Sequence, residues 1–119
     1  MIETKEGTDK LEEIVTTPGL DGIYIGPADL ALSMGLPVRG DQPEEEHLDM
    51  VKHILATAKK HNVAAGIHTS SLEYTQKYLA LGFHFVTLAT DSTHMVKNAS
   101  KELAVAKGAR QSERENTGY

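Results

Sequence analysis

The stretch Asp21-Gly22-Ile23-Tyr24-Ile25-Gly26-Pro27-Ala28-Asp29-Leu30 decides how the rest of the chain is read. Ile23, Tyr24 and Ile25 form a β-branched and aromatic run, which predicts a strand. Gly26 breaks the run and can take backbone angles that other residues resist. Pro27 suits the first turn of a helix, where its missing N–H would have had no partner. The next free backbone donors belong to Ala28 and Asp29, at a helix start where an anion is favoured. Asp29 adds a carboxylate of the kind that ligates a metal. An anion-receiving turn beside such an acid, at the C-terminal end of a strand, suits a small carboxylic acid held on a metal ion.

Upstream of this turn, Met1-Ile2-Glu3-Thr4 reads as the end of a strand that starts abruptly. Gly7-Thr8-Asp9 is expected to open a helix with Leu11, Ile14 and Val15 as its apolar stripe, stopped at Thr17-Pro18-Gly19. Downstream, a short helix runs through Leu30 and Met34 to Gly35. Asp41 and Glu44 form a capping box with Pro43 in the first turn. The helix behind it reaches about His61 and carries Leu48, Val51, Ile54, Leu55 and Ala58 on one face. Val63–His68 is a small-residue strand. Ser70 and Glu73 are expected to cap the next helix, which Gly82 ends. Phe83–Ala89 is the clearest strand. A last helix begins near Ser92, and from Gly108 a polar, frayed tail is expected.

Strand and helix alternate about four times, which means a parallel sheet with crossover helices. Both a small doubly wound sheet and half of an eight-stranded barrel satisfy that order, and both place ligands at the C-terminal ends of strands. Glu3, Asp29, His68 and Asp91 fall there. The chain's 119 residues bound it to one domain, and a net charge of −5 with no basic block argues against nucleic acid. With no cysteine, thiolate chemistry and zinc–thiolate sites are excluded. No apolar stretch approaches membrane-spanning length and Met1–Glu6 is no signal peptide, so no membrane partner is expected and a cytoplasmic location is the default.

Ile2-Glu3-Thr4, Leu20–Leu30, Ala64–Ile67 and Leu79–Val86 together resemble the HpcH/HpaI aldolase family of metal-dependent (class II) pyruvate aldolases. The resemblance runs from residue 1 to about 107, and its most specific part is Gly26-Pro27-Ala28-Asp29-Leu30, correctly spaced after Glu3. It implies the C-terminal half of a (β/α)8 TIM barrel over residues 1–107, followed by the tail at 108–119. It also implies that Glu3 and Asp29 ligate a divalent metal, Mg²⁺ or Mn²⁺ with Co²⁺ also admitted. The backbone at Ala28 and Asp29 would receive the carboxylate of pyruvate or a related 2-oxo acid. In such an enzyme the metal acts as a Lewis acid on the enolate left when a 4-hydroxy-2-oxo acid is cleaved to pyruvate and an aldehyde.

The chain departs from the family pattern in three ways. Met1 stands where the family usually has a substrate-contacting glutamine, and Ala31 stands where a serine commonly follows the Asp-Leu pair. The family's arginine and histidine base belong to its N-terminal half, which this chain does not match, so no catalytic base is assigned. The chain is therefore expected to be the product of a truncated gene, a fragment, or one piece of a two-piece barrel. It is expected to associate, as a homo-oligomer or with a complementing N-terminal half, and to be at best feebly active alone. Two other readings stay open: a non-catalytic association module, and a small doubly wound domain that binds an anion. His68 could touch the aldehyde portion or support a residue that does, although a plain hydrogen-bonded strand-end histidine is the simpler account. His47, His53 and His61 are expected to be solvated on or at the end of their helix.

Overall fold

The computed structural model of the chain describes the backbone of residues 1–116 and side-chain surroundings as far as residue 108. Two compact units are present, Met1–Ala89 and a second that begins at Thr90.

The first unit is built on a parallel three-stranded sheet. Strands β1 (Gly22–Ile25), β2 (Ala64–Ile67) and β3 (Phe85–Val86) lie in that order. Gly22 pairs with Ala64 and Ile25 with Ile67, while Gly66 pairs with Phe85 and Ile67 with Val86. The strand expected at the start of the chain is reduced to one parallel bridge, Ile2 to Ile25. Both backbone groups of Ile2 are nonetheless bonded to the β1 segment, with Ile2 N donating to Tyr24 O at 2.8 Å and Gly26 N to Ile2 O at 3.2 Å. The strand expected over Phe83–Ala89 is also shorter, because only Phe85 and Val86 are in register with β2. The α/β class with parallel strands is as expected, with three strands and a bridge in place of four strands.

Helices α1 (Lys5–Asp9) and α2 (Leu11–Val15) precede β1, α3 (Pro27–Ser33) and α4 (Glu45–Lys60) precede β2, and α5 (Leu72–Leu81) precedes β3. Alternation along the strands explains the core. Ile23, Ile25, Ala65 and Ile67 turn to one side and are buried with Val51, Ile54, Leu55 and Ala58 of α4 and Tyr78 of α5. Tyr24 and Phe85 turn to the opposite side, ring centroids 6.0 Å apart, and Phe85 is 61% exposed. Gly66 lies between them: a Cβ there would sit 2.8 Å from Tyr24 Cδ2, so the aromatic pair needs a glycine at this position.

Three caps differ from the sequence reading. Thr4, not Gly7, opens the first helix, its hydroxyl accepting from Gly7 N. Ser71, not Ser70, caps α5, accepting from Tyr74 N at 3.4 Å. Asp41 caps nothing in α4, whose N-cap is Glu44. Its carboxylate is used instead by Ser70 N, at 2.9 Å. Gly82 ends α5 as expected, with φ at +94° in the left-handed region.

The second unit is α6 (Asp91–Asn116). Thr90 Oγ1 accepts from Thr93 N at its start. α6 carries the backbone past Gly108, where the polar tail is expected, as far as Asn116; residues 117–119 of that tail lie outside the described residues.

Candidate metal and carboxylate site

At the C-terminal ends of β1 and β2 a cavity of about 300 Å³ opens in the first unit. Gly26, Pro27, Ala28 and Asp29 form one wall of it, as the strand-to-helix turn requires. Tyr24 and His68 line it from the strands, and Met1, Gly40 and Ser70 complete it. Ala28 and Asp29 are thus placed together, with Pro27 at the first helical position behind them. The volume lies at the small end of ligand pockets, the right order for a ligand of a few heavy atoms.

Glu3 is not a lining residue of the cavity, but it lies against Gly26, which is. A Cβ added to Gly26 would sit 3.1 Å from Glu3 Oε2 and 3.3 Å from Glu3 Cβ. The missing side chain at position 26 is therefore the space into which the Glu3 carboxylate leans. Among the described residues, neither Glu3 nor Asp29 makes a side-chain hydrogen bond or ion pair, and no set of three or more His, Cys, Asp and Glu side chains gathers as a metal site. Two uncommitted carboxylates suit a hard, oxygen-seeking ion that keeps other positions for water and substrate. The residues present fit a divalent cation of that type.

The sequence profile of the HpcH/HpaI aldolase/citrate lyase family matches residues 1–98. The chain belongs to this family. It is 35% identical over 105 residues to a 5-keto-4-deoxy-D-glucarate aldolase of Klebsiella pneumoniae, covering 88% of this chain and 40% of that protein. A hydroxypyruvate/pyruvate aldolase of Rhizorhabdus wittichii is 36% identical over 107 residues, covering 90% and 43% respectively. A crystal structure of an HpcH/HpaI aldolase/citrate lyase family protein from Burkholderia cenocepacia superposes with a TM-score of 0.82 at 30% identity, over 89% of this chain and 40% of that one. The chain therefore spans about two fifths of the length of the family members it matches.

Two histidines give this HpcH/HpaI chain polar contacts near the cavity. His68 Nδ1 lies 3.3 Å from both Tyr24 Oη and Thr87 Oγ1, so it is hydrogen-bonded at the strand end and also borders the cavity. His47 corrects the sequence reading. It is fully buried rather than solvated, with Nε2 3.1 Å from Pro27 O. His53 is exposed, and His61, half-buried, pairs with Glu12.

Burial pushes the His47 imidazole below its ordinary pKa, and Lys77 adds to this, whereas the bond to Pro27 O and the nearby Glu44 oppose it. The folded chain thus takes up a proton on His47 less readily than the unfolded chain. The stability linked to this difference is fully present above about pH 6.5, the ordinary imidazole value, and is lost as pH falls through the lower folded value. Acidification from pH 7 to 5 is expected to depress the thermal midpoint more in the wild type than in His47→Gln. Parallel decline of the two midpoints would show that His47 does not carry this pH dependence.

Proposed function

We propose that this chain supplies the metal- and pyruvate-binding portion of a class II aldolase that cleaves 4-hydroxy-2-oxo acids to pyruvate and an aldehyde. The observation that carries the reading is the cavity wall itself: the uncommitted Asp29 carboxylate and the Ala28 backbone in one turn, with the Glu3 carboxylate against Gly26 of the same turn. In this reading Glu3 and Asp29 hold Mg²⁺ or Mn²⁺, and the N–H groups of Ala28 and Asp29 receive the pyruvate carboxylate. The ion, when bound, supplies positive charge against the 2-oxo and carboxylate oxygens. Met1 and Pro27 give the cavity apolar surface, and His68 with Tyr24 lies where the aldehyde portion would extend. The names of the relatives, aldolases of keto-deoxy sugar acids and of pyruvate or hydroxypyruvate, support the substrate class.

The three strands and the Ile2 bridge are read as an arc of a (β/α)8 barrel, with Tyr24 and Phe85 on its inner side. The exposure of Phe85 favours completion of the sheet by further strands, from a complementing half or a second copy. The same exposure is what an association module without catalysis would show. Calorimetric titration separates the two. Pyruvate is expected to bind the isolated chain only when Mg²⁺ or Mn²⁺ is present, with aldol turnover feeble or nil. A chain that associates in light scattering, yet binds no pyruvate with either ion, is the association module.

A further inference from the structure

We infer that His47 is a positioning residue, holding the Pro27–Ala28 peptide plane so that the Ala28 N–H faces the carboxylate site; this rests on the reading of Ala28 as a carboxylate donor. Pro27 O is an acceptor only, so the His47 nitrogen 3.1 Å away must carry the hydrogen. A peptide unit is rigid, planar and trans, and its C=O and N–H point in opposite directions. Fixing the Pro27 carbonyl therefore aims the Ala28 N–H. The proline ring already fixes φ at position 27. The bond from α4 restrains the plane that follows it.

Two further observations support the assignment. Helix α3 has only seven residues, so few peptide dipoles add up at its start. The aim of this one N–H then matters more than the helix as a whole. His47 also leaves its Nδ1 buried without a partner, which is costly. Leucine would fill the same interior position of α4 with no orphaned nitrogen. What leucine lacks is the donor to Pro27 O, a bond that also polarises the peptide and strengthens the N–H on its far side.

The test uses the ¹⁵N-labelled 119-residue chain, with Mg²⁺ and pyruvate as probes. His47→Leu is expected to weaken pyruvate binding at saturating Mg²⁺ about five- to tenfold, the scale of one hydrogen bond. Its affinity for Mg²⁺ alone should stay within about twofold, since the carboxylates are untouched. His47→Gln, which offers a donor at similar reach, is expected to recover pyruvate binding to within about threefold. Unchanged pyruvate affinity in folded His47→Leu, or equal loss in both variants, overturns the inference. If His47→Leu does not fold, the imidazole ¹⁵N shifts of the wild type decide: the Nε2–H tautomer is expected, and the Nδ1–H tautomer overturns it. If the wild type binds no pyruvate at all, the functional reading fails by itself. The positioning role is then judged without ligand, from the Ala28 amide shift and exchange rate. These should move in His47→Leu and stay in His47→Gln; no movement in His47→Leu rejects the role.

Discussion

Asp29→Asn is expected to reduce Mg²⁺-dependent pyruvate binding at least about a hundredfold, because even loss of a partner outside the metal's own ligands costs about 10–100-fold. The thermal midpoint should barely move. Asp29 is exposed and, among the described residues, its side chain makes no hydrogen bond or ion pair, so changing its carboxylate to an amide breaks no contact. Surface changes of that kind stay within about 0.5 kcal/mol. The favourable placement of an acid in a first helical turn adds only about 0.3–1 kcal/mol, and α3 is short. Glu3→Gln should act in the same direction. Its carboxylate is half-buried against Gly26, but it too is uncommitted. Calorimetry with Mg²⁺ and pyruvate, paired with thermal melts, measures both effects. Binding by Asp29→Asn within a few-fold of wild type would rule Asp29 out as a metal ligand.

The turn at Gly26–Asp29 was legible because each of its residues has a local reason to be there, and local reasons survive in sequence. The pairings Ile23–Ala65 and Ile25–Ile67 follow from the same two apolar runs. The caps were harder. Asp41, Ser70 and Ser71 are all competent caps by type, and the choice among them was made by a contact across 29 residues, from Ser70 N to Asp41. Propensity contains no such information. His47 was misread despite a usable signal: it stands four residues before Val51 and seven before Ile54, on the buried stripe of α4, and all three are fully buried. A polar side chain on an apolar stripe asks for a buried partner. Here the partner is a backbone carbonyl 20 residues upstream, which no residue type announces. Phe83–Ala89 reads as a strand throughout because its residues favour extended backbone. Only Phe85 and Val86 are paired with β2, although His84 N bonds Ala65 O and Thr87 N bonds Ile67 O of that strand, and Ala89 N bonds Thr69 O just beyond it.

Tyr78→Ala is the substitution expected to cost the fold most, and the contrast with Asp29→Asn separates scaffold from site. Tyr78 is 2% exposed and is the largest side chain among those fully buried. Its ring meets Phe83 edge-on at 5.6 Å and Tyr74 at 6.1 Å. Burial pushes its phenol up to about 12, so it stays neutral through the usable pH range. Truncating a buried aromatic to alanine costs about 3–5 kcal/mol. A unit the size of Met1–Ala89 has roughly 4–13 kcal/mol in total. The loss is therefore a large fraction of the margin, whereas Tyr78→Phe keeps the ring contacts and should be mild. The site must fail with the scaffold. One turn before Tyr78, Thr75 Oγ1 bonds Thr87 O at 3.1 Å and Thr69 Oγ1 at 2.7 Å, tying α5 to the chain just beyond β2 and β3. Thr87 in turn holds His68 at the cavity. Tyr78→Ala is thus expected to lose its cooperative melt and metal-dependent pyruvate binding together, where Asp29→Asn loses only the second. A sharp unfolding transition in Tyr78→Ala near the wild-type midpoint would mean that α5 is not what holds the strand ends.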